Sequence, residues 1–334
     1  MRHRTPQLAA SLLCLTLCFN LMAQEAQRTF SAAWWNVENL FDTRDDPNTN
    51  DDEFTPRGEL HWTQRKMWDK IHGIYKTVVM MDMPDAVGLA EVENKQVLRN
   101  LCQGTPLAQA GYRYLHYDSP DRRGIDCALL YRADRFRVVE SRPVSLSDSA
   151  THYFTRDMLE VVGVSPSGDT LCLLLCHWPS KRGGDEAEAH RMAAADTLRR
   201  HMVALHAAHP SAAVVAMGDM NSTADEEPIA RGMGFGTDSI NPDGIKLLTH
   251  RLPRDWGSHK YQGQWRYIDQ MMLLAGDGWR VADLKLMRFE HLLVEERNRL
   301  GMRPRRTNMG PRYEGGLSDH LPLRLRLRTP ESAD

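Results

Sequence analysis

The sequence predicts an α/β fold, a four-layer α/β sandwich in which two packed, mostly antiparallel β-sheets are flanked by helices. Three observations carry this expectation. Short apolar runs of strand length recur along the chain, several of them stop at a polar or ionisable residue, and two longer segments switch to helical periodicity. No Pro/Ser linker, low-complexity tract or fixed-period repeat interrupts the pattern, so a single domain over residues 27–330 is expected.

The elements follow in chain order. Arg2, His3 and Arg4 precede an apolar run from Leu8 to Leu21, and the small Ala23 comes before Gln24 and Glu25. This is the order of a secretory signal peptide over residues 1–23, and it predicts a secreted or periplasmic protein. No later stretch reaches the roughly 18 apolar residues of a membrane helix, so no stable membrane insertion is expected after cleavage. Strand-like runs are Thr29 to Trp35, Ala86 to Val92, Cys127 to Tyr131, Leu171 to His177, Ala213 to Met217, Trp265 to Leu274 and Leu321 to Leu327. Met67, Ile71, Ile74 and Val78 make one helical stripe, with Thr63 placed to cap it. Ala195, Leu198, Met202 and Leu205 make another, for which Asp185 and Glu188 have capping-box spacing. Gly276-Asp277-Gly278 reads as a hairpin-like connection, which favours sheets stacked face to face with helices outside.

Charge narrows the function classes. The chain has 42 Lys and Arg against 44 Asp and Glu, and loss of the leading segment removes two of the cations. An acidic balance argues against an extended duplex-binding surface while leaving room for a local basic cleft. Cys102, Cys127, Cys172 and Cys176 remain after that loss; no CxxC pair suggests zinc, and no disulfide pairing is specified.

The residues that carry chemistry stand at strand ends, in the order Trp34-Trp35-Asn36-Val37-Glu38-Asn39, Gly88-Leu89-Ala90-Glu91-Val92-Glu93, His177-Trp178-Pro179-Ser180, Gly218-Asp219-Met220-Asn221, Arg266-Tyr267-Ile268-Asp269 and Ser318-Asp319-His320. Hard divalent cations take oxygen ligands, and Mg²⁺ needs only one or two carboxylates beside water and substrate phosphate. Asn36, Glu91, Asp219, Asn221 and Asp319 supply such oxygens if their strands converge. His177 and His320 add donors for a phosphoryl oxygen or a nucleophilic water, with Asp126 and Asp269 as carboxylates to orient them. The set reads as a phosphoryl-transfer site.

The ordered motifs resemble the endonuclease/exonuclease/phosphatase superfamily, which includes secreted deoxyribonucleases, abasic-site endonucleases, inositol-polyphosphate phosphatases and neutral sphingomyelinases. The resemblance spans roughly Phe30 to Arg328, and its strength lies in six short motifs in one order. It implies metal ligation by Asn36, Glu91 and Asp319, with Mg²⁺ as the cofactor, Mn²⁺ as a substitute, and one or two ions. It implies His177 on the scissile phosphate, Asp219 on the attacking water, Asn221 beside it, Asp269 behind His320, and Asp126 as the partner of His177. Lys181 and Arg182 follow His177, and Arg303, Arg305, Arg306 and Arg312 precede Asp319. These are expected to contact substrate phosphate, Lys181, Arg182, Arg305 and Arg306 foremost. Residues 45–53 alternate oxygen side chains, but without the glycine and terminal glutamate of an EF-hand they are expected to form a solvated loop rimming the cleft.

The expectation is a monomeric metal-dependent phosphoester hydrolase, a nuclease or phosphodiesterase with nucleic acid as partner. A phosphomonoesterase or phospholipid-head-group hydrolase is the alternative, and an inactive binding module of the same fold is a third reading.

Overall fold

The computed structural model describes residues 28–296 and 300–330, so the expected signal peptide lies outside the described residues. Twelve strands build two six-stranded sheets. In chain order they are β1 (Thr29–Leu40), β2 (Ala86–Val92), β3 (Tyr112–His116), β4 (Asp126–Arg132), β5 (Arg137–Val144), β6 (Met158–Val164), β7 (Thr170–His177), β8 (Ala213–Asp219), β9 (Lys246–Leu247), β10 (Asp269–Ala275), β11 (Arg280–Leu286) and β12 (Leu323–Arg328). The first sheet runs β11-β12-β1-β2-β4-β3 and the second β5-β6-β7-β8-β10-β9. Each contains one parallel pair, β1 with β2 and β7 with β8; the other pairings are antiparallel.

A parallel pair needs a long crossover, and helices supply it. Helix α1 (Gln64–Met80) joins β1 to β2, and α3 (Gly184–Ala208) joins β7 to β8. Thr63 caps α1 by accepting from the Lys66 amide at 3.4 Å, and the stripe Met67, Ile71, Ile74, Val78 is buried, as the sequence predicts. Helix α2 (Lys95–Gln103) goes unmarked by the sequence reading; the Asn94 side chain accepts from the Gln96 and Val97 amides, and Val97, Leu98, Leu101 and Cys102 bury its inner face. Trp34, Leu129, Leu175, Met217 and Leu325 fill the space between the sheets, while α1 with α2 and α3 cover the two outer faces. These are the four layers expected. Among the described residues no helix is long and apolar enough to cross a membrane. Cys102, Cys127, Cys172 and Cys176 are buried free thiols.

Three local expectations are corrected. Helix α3 starts at Gly184 after Gly183 at φ 110°, so Asp185 lies inside its first turn and no capping box forms. There it still favours the positive helix end. The run from Trp265 to Leu274 breaks at Tyr267 and Ile268 into a short ribbon strand, Gln264–Arg266, and β10. Gly276 to Gly278 is no hairpin, because β10 and β11 lie in different sheets and the turn passes the chain from one to the other. A Cβ on Gly276 would stand 2.3 Å from the Pro210 carbonyl oxygen, which explains a glycine there.

Candidate active site

Strands β1, β2, β7 and β8 end, and β10 begins, on one side of the sandwich. His177 is in register with Asp219, and Asp219 with Asp269, so three site residues form a row across the second sheet. Asn36 pairs with Ala90 in the first sheet, which brings Glu91 next to that row. Together with Asn221, Asp319 and His320, all of these except Asp269 line one cavity of about 690 Å³. Glu38, Asn39, Glu91 and Asn221 have φ between 47° and 62°, a left-handed backbone that non-glycine residues seldom adopt. Such strain concentrates where surrounding contacts enforce a functional shape.

Asp219 sits between the two imidazoles. Its Oδ2 is 3.7 Å from His177 Nε2 and 3.6 Å from His320 Nε2, and it accepts from Asn36 Nδ2 at 3.0 Å. Its Oδ1 accepts from the Asn221 amide at 3.0 Å. Burial, reinforced by the Asp269 carboxylate, raises Asp219 to about 7. His320 Nδ1 lies 2.6 Å from Asp269 Oδ2, and Trp34 Nε1 donates to Asp269 Oδ1 at 2.7 Å. Burial pushes His320 down, but the carboxylates of Asp269, Asp219 and Asp319 outweigh it and hold the ring well above its ordinary value. His177 goes the other way: burial, then the charges of Arg156 and Arg123, hold it well below. One imidazole is therefore neutral and the other cationic at neutral pH, a division of labour set by environment.

The expected oxygen-bearing residues converge on one cavity. Asn36 Oδ1 accepts from the Glu38 amide at 2.9 Å, while its Nδ2 also reaches Glu91 Oε1 at 3.3 Å. Nδ2 of Asn36 thus bridges the Glu91 and Asp219 carboxylates. Glu38 adds a third carboxylate to the cavity beside Glu91 and Asp319. Its carboxylate accepts from Arg306 Nε at 2.9 Å and the Thr307 amide at 2.7 Å, and burial with the neighbouring Asp319 raises it to about 7. The same Arg306 guanidinium binds Asp319. Carboxylates of Glu38, Glu91 and Asp319 around one cavity are a hard-oxygen set that fits Mg²⁺ or Mn²⁺ and offers no sulfur.

Several expected contacts fall elsewhere. Asp126 is 3.5 Å from His116 and does not line the cavity, and His177 Nδ1 has no hydrogen-bond partner among the described residues. The partnership of Asp126 with His177 is therefore not made, because the Asp126 carboxylate turns to His116 on the neighbouring strand β3. Lys181 turns to Glu226, 2.5 Å away, while Arg182 lines the cavity. Arg303 and Arg312 both pair with Glu314 at 2.9 Å, and Arg305 donates to the Glu314 carbonyl at 2.9 Å, so only Arg306 of that group faces the cavity. Residues 45–53 are mostly exposed and Glu53 reaches the cavity, as expected of a solvated loop rimming the cleft, while the buried Asp51 pins the loop by accepting from the Asp46 amide at 3.2 Å.

Residues without an expected role complete the site. Arg123 binds Asn39 and lies 3.5 Å from Glu91. Arg156 spans the His177 carbonyl at 2.9 Å, the Trp178 carbonyl at 2.8 Å and Asp121 at 3.0 Å. His259 stands 3.8 Å from Asp319, and burial with the charge on His320 lowers it to about 4. Beneath the cavity the buried Lys70 donates to the Glu38 carbonyl at 2.6 Å, the Leu317 carbonyl at 2.8 Å and the Thr307 hydroxyl. Replacing it by methionine would leave three buried acceptors unmet, each at about 1–3 kcal/mol. Lys70→Met should therefore lose at least about 3 kcal/mol in urea unfolding at unchanged m. A loss below about 0.5 kcal/mol would show that the ammonium does not hold these segments together.

The sequence matches the Endonuclease/Exonuclease/phosphatase family over residues 31–329. The chain belongs to this family. No curated protein shows a significant match. Among solved structures, D. rerio TDP2 complexed with single-strand DNA product aligns at TM-score 0.58 and 17% identity, covering 90% of this chain and 99% of that one. The human Nocturnin catalytic domain with bound sulfate gives TM-score 0.56 at 15% identity, with 90% and 94% covered. A mannosyl-6-phosphatase of Bacteroides thetaiotaomicron gives TM-score 0.56 at 16% identity, with 89% and 99% covered. At these identities the likeness is one of fold.

Proposed function

We propose that this family member is a divalent-metal-dependent phosphoester hydrolase that acts on a nucleic-acid strand by in-line attack of water on phosphorus. The observation that carries the reading is the placement of Asp219, a buried carboxylate whose Oδ2 stands 3.7 Å from His177 Nε2 and 3.6 Å from His320 Nε2 and whose pKa burial raises to about 7. A base with that value takes a proton from water near neutral pH. Asn221 fixes its orientation, Asn36 anchors its second oxygen, and the cationic His320, set by Asp269, donates a hydrogen bond to a phosphoryl oxygen. The neutral His177 offers its Nε2 to the same group. Glu91, Glu38 and Asp319 would hold the metal, which when bound supplies positive charge against the phosphoryl oxygens. The strand bound to the TDP2 neighbour supports nucleic acid as substrate.

A small phosphomonoester is the second reading, favoured by how the arginines are used. Arg303, Arg305 and Arg312 are tied to Glu314, so the cavity offers few cations to a chain of phosphates. A single strand held by one or two phosphates should bind with a salt slope of about −0.7 to −1.4, from roughly −0.7 per contact. Arg306→Ala should flatten it and Arg305→Ala should not. Oligonucleotide affinity measured across salt tests this. A slope of zero would favour the phosphomonoester, and a steep slope reduced by Arg305→Ala would restore the wider cationic wall.

A further inference from the structure

A second cavity of about 290 Å³ opens off the catalytic one, and Arg156, Ser180 and Arg182 line both. Its size is at the lower edge of the roughly 300–1,000 Å³ of small-molecule sites, which suits a single ring system. Tyr153 and Phe154, from the loop 145–157 between β5 and β6, form part of its wall, and His190 of α3 lines it too. The Tyr153 and His190 rings are stacked, their centroids 3.4 Å apart and their planes within 6° of parallel. Phe154 is 41% exposed. A solvent-facing aromatic ring means little alone; on the wall of a cavity that opens into a reacting centre it offers apolar surface to another ring.

The loop holds these rings in place. Tyr153 and Asp148 exchange backbone hydrogen bonds of 2.8 and 2.9 Å. The Ser147 hydroxyl donates to the Thr155 carbonyl at 3.1 Å and accepts from the Thr155 amide at 3.0 Å. Arg156, two residues past Phe154, ties the loop to the carbonyls of His177 and Trp178. The aromatic wall is thus fixed relative to the catalytic end of β7, and little loop entropy is left to lose on binding.

Charge decides what this wall receives. With Arg303, Arg305 and Arg312 tied to Glu314, the catalytic cavity has few cations for a run of phosphates. Proteins that hold single strands add base stacking on aromatic rings to backbone charge. Glu186 puts a carboxylate on the wall of the second cavity, which disfavours a further phosphate there. We propose that Tyr153 and Phe154, backed by His190, form a stacking subsite for the nucleobase next to the scissile phosphate. The subsite rests on nucleic acid being the substrate and adds the affinity that the tied arginines do not supply. Arg182, common to both cavities, meets the strand where it passes from phosphate to base. Every base has a π-face, so the subsite selects strands that carry bases without choosing strongly among them.

Hydrolysis of a short single-stranded DNA, compared with hydrolysis of the same sugar-phosphate chain without bases, tests the subsite in the full chain with Mg²⁺; bis-p-nitrophenyl phosphate reports the chemistry alone. The parent should cleave the base-bearing strand with the higher kcat/KM, and Phe154→Ala should lower the ratio of the two at least about fivefold. Phe154→Trp keeps an aromatic face and should hold the ratio. Because each ratio is taken within one protein, any loss of folded enzyme cancels. A ratio unchanged in Phe154→Ala, or lost equally in Phe154→Trp, would overturn the subsite. A parent that cleaves both strands equally well would overturn it too, with nucleic acid kept as the substrate. A parent that turns over bis-p-nitrophenyl phosphate and neither strand would remove the nucleic-acid substrate and the subsite together.

Discussion

Asp219→Asn should lower kcat by about 10³-fold, within the 10²–10⁴ range that a general base contributes, while leaving the fold intact. The amide has the carboxylate's shape, and its oxygen can still accept from the Asn221 amide. It cannot take a proton, and one of its ends becomes a donor facing Asn36 Nδ2, where Asp219 now accepts. Stability should not fall with activity. A carboxylate whose folded pKa lies above its unfolded value costs stability as pH rises from 3.8 to about 7, where only the native state keeps the proton, and the full cost persists above that. The neutral amide escapes that penalty. Turnover and a thermal melt at pH 8 check both halves, and a variant within tenfold of the parent would remove Asp219 from the chemistry.

The second large effect belongs to Asp269→Asn. The Asp269 carboxylate accepts from Trp34 Nε1 and stands 2.6 Å from His320 Nδ1, so it sets both the orientation and the charge of that ring. An asparagine keeps the shape and loses the negative partner; the expected loss in kcat is about 10²-fold or more. The sign of the pH effect follows from the same contact. Asp269 is the foremost of the carboxylates that hold His320 above its ordinary value, so removing its charge lets burial draw the pKa down. The cationic ring is then lost at lower pH, and the alkaline limb of the pH–rate profile should move to lower pH. A limb that overlays the parent's would separate His320 from the reaction.

How far the sequence revealed the site depends on where each residue's partners lie. Glu91, His177 and Asp219 were legible because each ends or nearly ends an apolar run, and an apolar run stopped by a charged or polar residue is visible locally. Asp269 and His320 were legible because they open such runs. Glu314 was not, since nothing nearby marks it as the acceptor for Arg303, Arg305 and Arg312, and without it those arginines read as free cations. Asp126 misled for the same reason: its partner, His116, comes from the neighbouring strand in a pairing that local pattern does not disclose. Arg156 lies in an irregular stretch with no period to place it. Lys70 did leave a signal, for it stands on the buried face of α1 between Met67 and Ile71, and a lysine on an apolar stripe asks for buried acceptors. Gly276 and Gly278 announced a turn but not that it crosses between sheets, which is a property of long-range pairing.

Metal-dependent phosphoester hydrolysis at this site is tested most directly by bis-p-nitrophenyl phosphate turnover in chelator-stripped protein with Mg²⁺ added back. The expected result is turnover abolished by stripping, restored by Mg²⁺ in the parent, and restored poorly in Glu91→Gln, where one anionic oxygen is lost from the ligand set. Undiminished turnover after stripping, or full restoration in Glu91→Gln, would contradict the account.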